Sequence, residues 1–114
     1  MTQPVKIIMV EDDHGHAKLI EKNIRRANIS NEIAHFDEGG AALDYLFSQE
    51  ILTNGPLLIL LDLNLPDMSG LEVLRQLRVG KVNTPVMILS GSHEIETKVK
   101  TFGGGADDYM TKPF

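Results

Sequence analysis

There is no cysteine among the 114 residues, so disulfides, thiolate metal sites and cysteine nucleophiles are excluded. Any chemistry must come from oxygen and nitrogen groups, and a reducing compartment is compatible with that. A basic cluster is missing too. Eleven Lys and Arg are scattered among sixteen Asp and Glu, for a net charge of −5. Direct binding to nucleic acid or to an anionic membrane needs a basic footprint and is therefore disfavoured. No stretch approaches the ~18 consecutive apolar residues of a membrane-spanning helix. The opening MTQPVKIIMVEDD reaches acids too soon for a signal peptide. The expectation is a soluble cytoplasmic protein. Repeats, low-complexity tracts and interdomain linkers are also lacking, so residues 1–114 read as a single domain. A domain of this size can remove roughly two-thirds of its unfolded surface from water.

What is present is an alternation. Apolar stretches stand at Ile7 to Val10, Leu57 to Leu61, Val86 to Leu89 and, more weakly, at Tyr109 and Met110. The run LLILL before Asp62 has the continuous apolar character of a strand covered on both faces. Between these runs lie segments whose apolar residues recur at three and four. Ala17, Ile20, Ile24 and Ala27 share one helical face, and Leu71, Leu74 and Leu77 share another, with Ser69 placed as an N-cap. The resulting string is β1 5–10, α1 14–28, β2 32–36, α2 38–48, β3 57–62, α3 69–79, β4 86–90, α4 94–102 and β5 108–111. Turns fall at 53–56, 80–85 and the triple glycine 103–105. Strands alternating with helices imply βαβ units and a parallel sheet. A regular alternation expects one more helix after β5, whereas the sequence ends at Phe114. The fold is therefore read as α/β, a doubly wound parallel sheet without its final helix. Uncovered apolar sheet surface would invite a homodimer.

In open parallel sheets ligands bind beyond the carboxyl ends of the strands. Those ends carry Glu11, Asp12 and Asp13 after β1, Asp62 at the end of β3, Ser90 at the end of β4 and Lys112 after β5. Carboxylates gathered on one rim repel one another unless a cation sits among them, and an oxygen-only donor set suits Mg²⁺ in company with phosphate oxygens. A lysine ammonium and a hydroxyl complete a phosphoryl-binding inventory. One carboxylate can then act as the nucleophile that forms an acyl phosphate.

This set resembles the receiver domain of bacterial response regulators, the family that includes the chemotaxis regulator. The resemblance rests on MVEDD, LLDLNLPDMSG, MILSG and GADDYMTKPF, four motifs in the right order along the chain. It implies a flavodoxin-like, five-stranded sheet of order 2-1-3-4-5 and a phosphorylation-controlled switch of two-component signalling rather than a turnover enzyme. Asp62 would take a phosphoryl group from a sensor histidine kinase. Mg²⁺ would be held by Glu11, Asp12, Asp62 and the backbone carbonyl of Asn64. Lys112 and Ser90 would contact the phosphoryl group, and Ser90 with Tyr109 would form the switch that alters the α4 and β5 surface. The segment DYLFSQEILTNGPLLILLDLNLP is similar to receivers that partner bacterial phytochrome kinases. Glu11 in place of Asp and Ser90 in place of Thr are variants within the family. Gly91 replaces the usual alanine and loosens the loop after β4.

Each residue also has a plainer reading. Asp62 alone could be a strand-end capping acid, and Asp13 is read as an acid favouring a helix start. Lys112 could be an ordinary turn lysine, and Tyr109 ordinary strand packing. His14 and His16 lie two apart at a helix start and make a poor ligand pair. All four histidines are read as surface or packing residues, and Met68 as loop packing. The rival classes are a Mg²⁺-dependent aspartyl-phosphate phosphatase and a scaffold that binds without phosphorylation. The phosphatase pattern puts its nucleophile on the first strand with a second acid two residues on, whereas here Asn64 holds that place after Asp62.

Overall fold

Alternation within the strands explains the long apolar runs. Odd and even residues face opposite sides of a strand, and in this protein both sides are covered. Ile8, Val10, Ile59, Leu61, Val86 and Ile88 join one core cluster, whereas Ile7, Met9, Leu60 and Leu89 join the other. The computed structural model describes residues 4–48, 55–90 and 108–111. The strands are β1 (Lys6–Val10), β2 (Ile33–Phe36), β3 (Leu57–Asp62), β4 (Val86–Ser90) and β5 (Asp108–Thr111). All neighbours pair in parallel, in the order β2-β1-β3-β4-β5. This is the expected order. The expected α4 (94–102), the triple glycine and Lys112 lie outside the described residues.

Three helices are described: α1 (His14–Arg26), α2 (Gly39–Leu46) and α3 (Gly70–Val79). The larger cluster packs Ala42, Leu43 and Leu46 of α2 and Leu71, Val73, Leu74 and Leu77 of α3 against one sheet face. Each such leucine stabilises the fold by roughly 1.5–3 kcal/mol relative to an exposed one. The smaller cluster lies under α1, which contributes Ala17 and Ile20. Beside it runs an apolar groove of about 410 Å³, lined by Ile20, Ile24, Leu58, Leu60, Met87 and Leu89 among others.

Capping sets the helix boundaries. The Asp13 carboxylate accepts from the His16 N–H at 3.0 Å and starts α1. Ser69 does the same for α3, accepting from the Leu71 N–H at 3.1 Å, as its place in the sequence predicts. The helix α1 ends at Arg26, two residues short of the expected boundary. Asn28 there adopts φ 62°, a left-handed conformation that asparagine tolerates better than most residues. The Arg25 guanidinium then secures the exit by donating to the Ile29 and Asn31 carbonyls at 2.8 and 2.9 Å. Among the described residues no helix is long and apolar enough to cross a membrane.

Candidate functional site

The strand order reverses direction between β1 and β3. From β1 the chain moves outward to β2, then crosses back to β3 on the other side, so the loops leaving β1 and β3 diverge. A crevice opens at such a point, beyond the carboxyl ends of the strands. The register determines what lines it. Val10 pairs with Leu61, so the next residues, Glu11 and Asp62, emerge side by side. The Glu11 N–H continues the ladder by donating to the Phe36 carbonyl at 2.9 Å, and the Leu63 N–H donates to the Leu89 carbonyl at 3.2 Å. Both exits are thereby held by main-chain bonds.

Glu11 and Asp62 are 0% and 3% exposed, the only buried charged residues among those described. Asp12 is exposed beside them, and the three can each offer a carboxylate oxygen within 4.8 Å of the other two. Bringing carboxylates together out of water is unfavourable unless a cation or donors compensate. Oxygen donors of this kind suit a hard divalent ion that retains waters, so the residues present fit Mg²⁺. No other such cluster occurs among the described residues.

The loop after β3 is closed tightly on itself. Asn64 and Ser69 form an antiparallel bridge, and the Gly70 N–H donates to the Leu63 carbonyl at 2.8 Å. Gly70 is required by contact: a Cβ there would stand 2.0 Å from the Asp62 carbonyl oxygen. At the loop's tip, the Asp67 carboxylate accepts from the Gly39 and Gly40 N–H groups, each at 2.8 Å. These two donors, Gly40 first, hold its carboxyl below the usual aspartate range. Met68 packs against the larger core cluster, in keeping with its reading as loop packing.

The structure thus brings Glu11, Asp12 and Asp62 together and puts Asn64 two residues past the buried carboxylate, at the start of the closed loop. Ser90 ends β4 one residue beyond the Asp62↔Leu89 pair, and Tyr109 lies in β5 opposite Ile88. Two features escaped sequence reasoning. The first is a set of histidines around the β1 exit. His35 Nε2 lies 2.7 Å from the Glu11 carbonyl, which can only accept, so that nitrogen carries the proton. His16 Nδ1 lies 3.5 Å from Glu11 Oε1, and His14 packs edge-on against His35 with its Nε2 3.6 Å from Asp37 Oδ2. The second is Asp67. Its one sequence signal is a helix that opens on two glycines after Glu38, whose side chain makes no cap bond.

Comparison with known proteins finds relatives over nearly the whole chain. A family model described as the response regulator receiver domain matches residues 7–114. The cell cycle transcriptional regulator CtrA of Caulobacter vibrioides is 52% identical over 110 residues, covering 96% of this chain and 45% of that protein. The chain therefore spans less than half the length of this relative. A response regulator receiver domain from Rhodospirillum rubrum superposes with a TM-score of 0.84 at 43% identity, over 96% of this chain and 81% of that one. The bacteriophytochrome response regulator RtBRR superposes with a TM-score of 0.82 at 36% identity, over 97% and 71%. Matched over nearly its whole length, the chain belongs to the family of response regulator receiver domains.

Proposed function

We propose that residues 1–114 form one receiver unit that is switched by phosphorylation of Asp62. The observation that carries this reading is the buried Asp62 carboxylate, grouped with Glu11 and Asp12 at the crevice. An Asp62 oxygen attacks the phosphorus of a phosphohistidine on a sensor histidine kinase. The phosphorus–nitrogen bond breaks, the imidazole leaves with the electron pair and takes up a proton, and an acyl phosphate remains on Asp62. Glu11, Asp12, Asp62 and the Asn64 carbonyl would hold Mg²⁺, which when bound offsets negative charge on the transferring group. Lys112 supplies a second positive charge, and Ser90 donates a hydroxyl hydrogen bond to a phosphoryl oxygen. Tyr109 then responds to the displacement of Ser90, and the α4 and β5 surface changes.

The partner proposed is a histidine kinase as a class. Identity is higher to the cell-cycle regulator than to the bacteriophytochrome one, so a phytochrome kinase is one candidate donor to test among others. A cytoplasmic location belongs to the same reading, and self-dephosphorylation rather than turnover of an outside substrate is its only catalysis.

The test is incubation with phosphoramidate or acetyl phosphate, with and without Mg²⁺, followed by intact mass. The expected result is a Mg²⁺-dependent gain of one phosphoryl group, lost in Asp62→Asn. Labelling retained in that variant would sink the assignment. Phosphate released catalytically without an adduct would favour the phosphatase, and a folded sample with neither result would favour a scaffold.

A further inference from the structure

The helix α2 starts without a cap of its own. Glu38 takes the extended backbone of an N-cap, yet its side chain makes no cap bond. The first two amides, Gly39 and Gly40, are instead satisfied by Asp67, which lies 28 and 27 residues further along the chain. Asp67 belongs to the loop that follows Asp62. A carboxylate at a helix N-terminus gains from the helix dipole and from charge-assisted bonds. Here the two oxygens take one amide each, which fixes the carboxylate in orientation as well as in place.

The approach of loop to helix is close. A Cβ on Gly39 would come within 2.7 Å of Met68 Cγ and 2.8 Å of Val73 Cγ2. The helix itself is anchored, because Ala42, Leu43 and Leu46 are buried in the larger core. The loop between β3 and α3 is thus tied at its base by Gly70 against the Asp62 carbonyl and at its neck by the Asn64–Ser69 bridge. At its tip it is tied to α2. Asn64 lies between the base and the tip.

We infer that Asp67 is a positioning residue for the phosphorylation site, holding the loop against α2 so that the Asn64 carbonyl is presented to the metal beside Glu11, Asp12 and Asp62. This rests on the function proposed above. A mere helix cap would affect folding alone. A positioning residue changes how the folded protein binds Mg²⁺.

The experiment is a Mg²⁺ titration of the ¹⁵N-labelled chain, paired with phosphoramidate labelling at each Mg²⁺ concentration, for the wild type, Asp67→Asn and Asp67→Ala. Removing a group that orients a metal ligand typically weakens metal affinity by about tenfold or more. Asp67→Ala is accordingly expected to raise the half-saturating Mg²⁺ concentration about tenfold, with labelling restored at saturating Mg²⁺. Asp67→Asn, whose amide offers one acceptor where the carboxylate offers two, should fall between. The asparagine variant also carries the test if the alanine variant does not fold. Folded variants that half-saturate at the wild-type Mg²⁺ concentration would overturn the inference and leave the proposed function standing. A wild type that shows no response to Mg²⁺ would remove both.

Discussion

Gly70→Ala puts two physical effects in opposition, and the structure decides between them. Gly70 opens α3, and it is not among the described residues with positive φ, so alanine can adopt its backbone without strain. Helix propensity alone predicts a gain of up to about 1 kcal/mol. The new Cβ, however, would stand 2.0 Å from the Asp62 carbonyl oxygen and 2.9 Å from both Asp62 C and Leu63 Cα. All three are main-chain atoms, so no rotamer change relieves the contact, and relief needs a shift on the order of 1 Å. The helix resists that shift through buried Leu71, Val73, Leu74 and Leu77, and the loop resists it through the Gly70 to Leu63 hydrogen bond. Overpacking of this kind costs about 1–3 kcal/mol, and weakening that bond adds about 1 kcal/mol. With the full propensity gain offset, the net expectation is destabilisation by about 1–3 kcal/mol, a fall in Tm of roughly 4–13 °C for a domain of this size. Urea unfolding followed by far-UV circular dichroism measures it. Gly15→Ala in the first turn of α1 is the control, since its Cβ meets only Asp13 Oδ1, at 3.1 Å. That carboxylate can yield, and the variant should match or exceed the wild type. If Gly70→Ala is as stable as Gly15→Ala, the close approach of α3 to the Asp62 carbonyl is wrong.

Leu61→Ala removes a fully buried side chain immediately before Asp62, and urea unfolding should show a loss of about 2–5 kcal/mol. The acid range tests a second feature. Hydrogen bonds from Arg75, then Gln76, lower the Glu72 carboxyl from its usual 4.5 to about 2. A depressed pKa means that the stabilisation is fully present above pH 4.5 and is lost as pH falls toward 2. The Tm of the wild type should therefore decline between pH 5 and pH 2 slightly more steeply than that of Glu72→Gln. The difference should shrink in high salt because the pair lies at the surface. Equal slopes at low salt would show that the pair contributes nothing.

Strand positions were legible because their signals are local. The bounds of β3, β4 and β5 coincide with those read from the sequence, since in each the apolar stretch gives way at once to a polar residue. The end of α1 was not, because Arg26, Ala27 and Asn28 are all acceptable in a helix. Nothing nearby announces that Asn28 turns left-handed. The hold of Asp67 on α2 and the contact of His35 with the Glu11 carbonyl join residues 28 and 24 apart in the chain. Neither has a periodic signature. Each depends on which loops the strand order makes neighbours, and the strand order itself came from the family resemblance rather than from periodicity.

The acids at the strand ends also bear on how the fold chooses its register. The run from Leu57 to Leu61 is apolar on both faces, so a slip of one residue would still bury leucine or isoleucine on each side. Hydrophobic alternation, which specifies register in most half-buried strands, is nearly silent here. Asp62 removes the ambiguity. A slip that drew it further inward would move its carboxylate away from the crevice and into the apolar body of the sheet, and the opposite slip would carry Leu61 out of the core. Glu11 imposes the same stop on β1. With both stops in force, Val10 meets Leu61 and the two carboxylates emerge level. The residues proposed to hold the metal are thus also the charged stops on which this register argument rests, and their burial at the crevice carries a desolvation cost that the register must offset.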